Sequence, residues 1–135
     1  MTSRHTRGHM TRALLEGVAF GLKDSFTLVA QAGLPESYEV RISGGGAKSP
    51  VWQQIIADVL NAPLVNINTT EGGAFGAAVL ASVAAGVHAD VTRACDAMIE
   101  TGDKVSVGAD ADVYAERYEL YRSLYPTLKD TFARL

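Results

Sequence analysis

Apolar residues recur at helical spacing over the first part of the chain. Leu14, Leu15, Val18, Leu22, Phe26 and Val29 fall every three or four positions between Arg7 and Ala32. The spacing predicts one long amphipathic helix, with Glu16, Lys23 and Asp24 on its polar side. Gly33 stands where a helix-ending residue belongs, and Pro35 prevents continuation. Ala13, Gly17, Gly21 and Ser25 also recur every four residues, making a narrow small-residue stripe along which another element is expected to pack closely. Because the helix is amphipathic, tight core packing is preferred to a membrane-type dimer motif.

The period then changes to two. Tyr38, Val40 and Ile42 alternate with Glu39, Arg41 and Ser43, so a strand is expected over 38–43, with the charged positions reaching solvent. Gly44-Gly45-Gly46 follow as a tight turn, and Ser49-Pro50 read as an N-cap and a first-turn proline. The helix beginning near Val51 places Trp52, Ile55, Ile56, Val59 and Leu60 on one face and stops at Asn61-Ala62-Pro63. Leu64 to Ile67 read as a second strand, parallel to the first because a helix intervenes.

Asn68, Thr69 and Thr70 are N-cap candidates for a helix over 73–85 whose surface is mostly alanine and glycine. Asp90 is expected to cap another helix, carrying Val91, Ala94, Cys95, Met98 and Ile99, and Lys104 to Val107 read as a short strand. From Asp110 onward Tyr114, Tyr118, Tyr121, Tyr125, Leu128 and Phe132 form one aromatic face, which Pro126 is expected to kink or break. Packing of that face on its own domain is preferred to a docking surface. The elements together predict an α/β fold, a short parallel sheet with packed helices.

Composition narrows the class. The 135 residues suit one domain, and 47% hydrophobic with only 7% aromatic content implies an alanine-rich interior. A net charge of −3 argues against a nucleic-acid partner, since phosphate neutralisation needs clustered Lys and Arg. Cys95 is alone, and His5, His9 and His88 show no metal-ligand spacing with one another or with it. The run Ala74 to Ala85 is too short to span a bilayer, so no membrane partner and a soluble, cytoplasmic protein are expected.

The chemistry concentrates at residues 44–53. Three glycines remove every Cβ from the turn and allow positive φ, while the helix behind them adds unpaired N–H groups and a positive dipole end. An anion or a nucleotide suits such a corner. A Walker loop ending at Lys48-Ser49 needs glycine at 42 and 47, where Ile42 and Ala47 stand. A dinucleotide fingerprint starting at Gly44 fails at Ser49.

The ordered blocks Gly44 to Trp52, Ala57 to Asn61 and Glu71 to Ala78 resemble the adenosine-binding segment of the FGGY carbohydrate kinases, most closely those acting on xylulose. The resemblance extends upstream through Thr11 to Phe20 and downstream through Tyr118 to Tyr121 and Tyr125-Pro126. It implies a partial actin-like ATPase (ribonuclease H-like) fold, with residues 1–135 as the C-terminal part of the family's second domain. It also implies ATP as cofactor. The resemblance further implies that Gly44, Gly45 and Gly46 belong to the cofactor-binding turn, that Gly45 and Gly46 offer backbone contacts to the α-phosphate and ribose side, that Lys48, Ser49 and Gln53 border the adenosine, and that the helix over 73–85 lies beneath the nucleotide; simple helix-on-sheet packing is the alternative for that helix.

The family's phosphate loop, catalytic aspartate and sugar pocket have no counterpart, so no catalytic residue is assigned. Asp58, Glu71 and Asp90 read as solvated or capping groups. Mg²⁺ is expected for the full-length kinase, with ligands outside this chain, and the sugar is expected to bind mainly to an absent N-terminal domain. The chain alone is therefore expected to be inactive, and its unpaired strand edges predict association with a second copy. Glycerol, ribulose or gluconate as the substrate, or a non-catalytic actin-like binding module, are the alternatives.

Overall fold

The computed structural model describes residues 2–33, 39–69 and 71–134. The first helix, α1, spans Arg7–Gln31. At its start the Thr6 backbone N–H donates to His9 Nδ1 at 3.2 Å. At its end Gly33 takes φ +90°, the conformation a terminating glycine supplies without steric cost. Pro35 and the start of the strand expected over 38–43 lie outside the described residues.

Strand β1 covers Val40–Ile42, and β2, Leu64–Ile67, pairs with it in parallel, Val40 facing Leu64 and Ile42 facing Asn66. Strand β3, Thr101–Val105, lies on the other side of β2 and runs antiparallel to it. The sheet is therefore mixed rather than wholly parallel, and its last strand begins three residues before the expected 104–107. Two helices stand between β2 and β3 where a single crossover helix joins β1 to β2, and the chain returns in the opposite sense. Helix α4, Val91–Met98, ends just before β3, and Asn68 pins the return: its N–H donates to Glu100 O at 3.0 Å and its side-chain amide to Met98 O at 3.1 Å. Between Val65 and Ile67 the β3 register slips by one residue, a bulge.

Helix α2, Pro50–Leu60, is the centre of the molecule. Ser49 Oγ accepts the Trp52 N–H at 3.3 Å and Pro50 occupies the first helical position, both as the sequence implies. Ile55, Ile56, Ala57, Asp58 and Val59 are buried consecutively, so this helix is covered on more than one face: by the strands on one side, and by α1 and α5 on another. Asp58 is thus not a solvated group. Its Oδ1 accepts the Gly108 N–H at 2.6 Å and the Gln54 amide at 2.8 Å, which ties the segment after β3 to α2.

Helix α5, Ala111–Phe132, continues through Pro126 instead of breaking there. Proline forfeits one backbone bond, and hydroxyls occupy neighbouring carbonyls: Ser123 Oγ donates to Leu120 O and Thr127 Oγ1 to Ser123 O, each at 2.7 Å. The aromatic face divides along its length. Tyr114, Tyr118 and Tyr121 surround Phe20 of α1 with ring centroids 6.1, 5.9 and 5.3 Å away, whereas Tyr125, Leu128 and Phe132 are exposed.

Two further expectations are corrected. A Cβ built on Gly17 or Gly21 meets nothing within 4 Å, so the small-residue stripe of α1 receives no close partner from the described residues. Helix α3, Gly72–Ala84, packs chiefly on α4 and not across the sheet; it buries Val79 and leaves Ala74, Gly76, Ala77 and Ala78 exposed. Its N-cap is Glu71, whose N–H is held by Thr69 Oγ1 at 3.1 Å; Thr70 lies outside the described residues.

Candidate functional site

The parallel pair β1–β2 delivers the chain to a corner at the carboxyl end of β1. Ser43 leads into Gly44, which adopts φ +80° and ψ −164°, a conformation that side chains rarely tolerate. Gly45–Lys48 then form a single 3₁₀ turn, closed by Ala47 N–H to Gly44 O and Ser49 N–H to Gly46 O, both 3.2 Å. Helix α2 starts directly behind it. The corner has a second wall, because a Cβ on Gly72, the first residue of α3, would sit 3.0 Å from Ser43 Oγ. Two helix N-termini therefore lie beside one glycine turn, and their positive dipole ends favour negative charge, although in α2 Pro50 has no N–H and the Trp52 N–H is already taken by Ser49 Oγ.

The glycines play different parts. A Cβ on Gly45 meets nothing within 4 Å, so this residue borders open space. A Cβ on Gly46 would lie 2.9 Å from Trp52 Nε1, so the absence of a side chain there serves the packing of the indole under the turn.

The structure brings Gly44, Gly45, Gly46, Lys48 and Ser49 onto this one turn, with Lys48 and Ser49 exposed. Ser49 Oγ spends a lone pair on the α2 cap and keeps its own proton free to donate. Gln53 lies beneath the turn, buried, its amide donating to Ala47 O and its Oε1 accepting from Asn66 Nδ2 at 3.4 Å. Ser43, Trp52 and Asn66 also shape the corner, although the sequence pattern marks Ser43 only as a strand position and Trp52 only as part of an apolar helix face. The available signal for Asn66 was one amide in the otherwise apolar strand Leu64–Ile67.

No group of three or more His, Cys, Asp or Glu side chains among the described residues is placed to hold a metal ion. No described helix is long and apolar enough to cross a membrane. The corner offers backbone N–H groups, a hydroxyl and a lysine, a donor set suited to phosphate oxygens.

Residues 1–85 match the model of the FGGY family of carbohydrate kinases, C-terminal domain. The xylulose kinase of Staphylococcus epidermidis is 30% identical, over 100% of this chain and 27% of its own length. The ribulokinase of Mycolicibacterium smegmatis is 35% identical, over 91% of this chain and 21% of its own. The crystal structure of xylulose kinase from Rhodospirillum rubrum superposes with a TM-score of 0.80 at 34% identity, over 98% of this chain and 27% of that one. The chain thus spans about a quarter of the length of these relatives, and its mixed α/β layers carry part of the actin-like ATPase fold of its structural neighbours. The glycine turn at the carboxyl end of β1 and the helices around it are those of the FGGY family of carbohydrate kinases, to whose C-terminal domain this chain belongs.

Proposed function

We propose that this chain is the nucleotide-holding part of an ATP-dependent sugar kinase, residues 1–135 being the C-terminal part of its second domain. The observation that carries the reading is the open space beside Gly45, on a turn that leads into the N-terminus of α2 and whose preceding Ser43 meets the first residue of α3. In this reading the backbone N–H groups of Gly45 and Gly46 meet the α-phosphate and ribose side of ATP. Lys48 and the Ser49 hydroxyl border the adenosine, and the exposed small residues of α3 let the nucleotide lie close to that helix.

Phosphoryl transfer is mainly a matter of positioning and charge stabilisation, so a rigid turn without Cβ atoms is a fitting contribution. A magnesium ion accompanies the phosphates and neutralises their charge; no side chain of this chain is assigned to it. The sugar pocket and the base acting on the sugar hydroxyl belong to the rest of a longer polypeptide. Xylulose is the proposed substrate, supported by the relatives from Staphylococcus epidermidis and Rhodospirillum rubrum, with ribulose, supported by the Mycolicibacterium relative, as the second reading.

Calorimetric titration of ATP into the chain and its Gly45→Val variant tests this. The branched side chain enters open space, so the fold is retained while ATP affinity falls at least about tenfold, or about 1.4 kcal/mol. Equal affinity in the two proteins overturns the assignment of the turn.

A further inference from the structure

The 3₁₀ turn that forms the candidate site is only four residues long and is closed by two backbone bonds at 3.2 Å, so it does not hold its own shape strongly. Beneath it runs a chain of side-chain amides. Gln53, 7% exposed, donates from Nε2 to Ala47 O inside the turn. Its Oε1 accepts from Asn66 Nδ2 at 3.4 Å, and Asn66 Nδ2 also donates to Asp103 O at 3.2 Å. Asp103 lies in the bulged stretch of β3, between the paired positions Thr101 and Lys104, where the register slip withdraws a carbonyl from the ladder. The chain is directional: Ala47 O and Asp103 O only accept, so both amides must present their N–H groups outward to these two ends.

We infer that Gln53 and Asn66 are positioning residues that lock the glycine turn to the sheet in the form that receives a ligand. Gln53 acts through the turn rather than on the ligand, since it is buried beneath the turn and its Nε2 and Oε1 are held there by Ala47 O and Asn66 Nδ2. The bulge in β3 is the fixed end of the device. Asn66 faces Ile42 across the ladder, the last residue of β1 before the corner, so both ends of the turn are referred to the same strand. The consequence for ATP rests on the nucleotide reading above.

Hydrogen exchange by mass spectrometry and ADP calorimetry on the full chain test it together, with Gln53→Leu as the first variant. Amides of Ala47 and Ser49 are expected to exchange at least about tenfold faster while those of β2 and the middle of α2 keep their protection. ADP affinity is expected to fall by a similar factor. Gln53→Glu is the second variant. Its ionised carboxyl repels Ala47 O, and its protonated form donates to it, so turn protection and ADP affinity should be lost at pH 8 and recover as the pH falls toward the carboxyl range near 4 to 5.

Turn exchange unchanged in Gln53→Leu, or no recovery in a folded Gln53→Glu, overturns the inference. So does accelerated turn exchange with undiminished ADP affinity. If the unaltered chain binds no ADP while both variants loosen the turn as described, the positioning role stands and the nucleotide reading falls.

Discussion

Individual side chains divide into those that make the site and those that hold its supports. Asp58 is the clearest support: it is buried, and its loss strands the Gly108 N–H and leaves the Gln54 amide with Ser106 O alone, at 3.1 Å. Asp58→Ala should cost about 1 to 3 kcal/mol, read as a fall in the urea midpoint with an unchanged slope. A Cβ at Gly108 would lie 2.8 Å from Gln54 Nε2 and 3.1 Å from Asp58 Oδ1, so Gly108→Ala should disturb the same latch. At the seam of α1 and α5, Tyr114 donates to Glu16 at 2.8 Å and receives Arg12 at 2.7 Å, while Tyr118 donates to Asp24 at 2.5 Å. Burial raises both phenols above their ordinary value near 10, and the carboxylate each one meets adds to the rise. A raised folded-state value means that the stability is fully present below about pH 10 and is lost as pH rises through the folded value. Urea melts at pH 8 and pH 11 should show this alkaline loss in the unaltered chain and a smaller loss in the Tyr114→Phe/Tyr118→Phe double variant.

The elements obey local rules where local rules suffice. Ser49 and Asp90 cap α2 and α4 as their sequence contexts imply, with Asp90 Oδ1 accepting the Arg93 N–H at 2.8 Å. Replacing Asp90 by Ala should cost about 1 kcal/mol and loosen first the pair α3–α4, measurable as faster amide exchange there than in α2. Helix α5 is the element whose sequence signal misled. Pro126 reads as a kink or a break, yet the helix runs on to Phe132 without breaking, since proline forfeits only the bond to Arg122 O, which lies exposed. Pro126→Ala should therefore raise the helical circular dichroism signal and stabilise the helix by up to about 3 kcal/mol; a decrease in helicity would sink this account.

At the scale of the whole molecule, the apolar surface left open is large. Met10, Leu14, Val18, Leu28 and Val29 of α1 are exposed, as are Leu124, Tyr125 and Phe132 of α5, beside a groove of about 600 Å³ that Asp24, Tyr121 and Leu128 also line. The three-stranded sheet keeps both outer edges unpaired among the described residues. Exposed apolar faces and open edges favour association. Light scattering over a concentration series should give a mass rising above that of one chain in the micromolar range, and Val18→Glu should lower it. A strictly monomeric mass at high micromolar concentration would count against association. The chain alone is further expected to show no turnover with ATP and xylulose in a coupled assay, since the sugar site is proposed to lie elsewhere.

The sequence by itself determined α1, α2, α4 and β2 nearly to the residue, because each is written in a periodicity with its own cap or stop. It also determined the glycine turn, since Gly44 needs a positive φ that no other local signal replaces. The tertiary structure alone decided the rest. The direction of β3 depends on a two-sided grip by Asn68, whose partners lie about thirty residues further along the chain. The burial of Asp58 depends on Gly108, and the inward orientation of Gln53 on Asn66 and Ala47. A helical pattern reports which residues share a face, but not whether that face is covered. Leu14, Val18, Leu22, Phe26 and Val29 of α1 remain exposed in this chain while Ala19 and Phe20 are buried, and α2, patterned for one face, is enclosed on several, because coverage is a property of what packs against a helix.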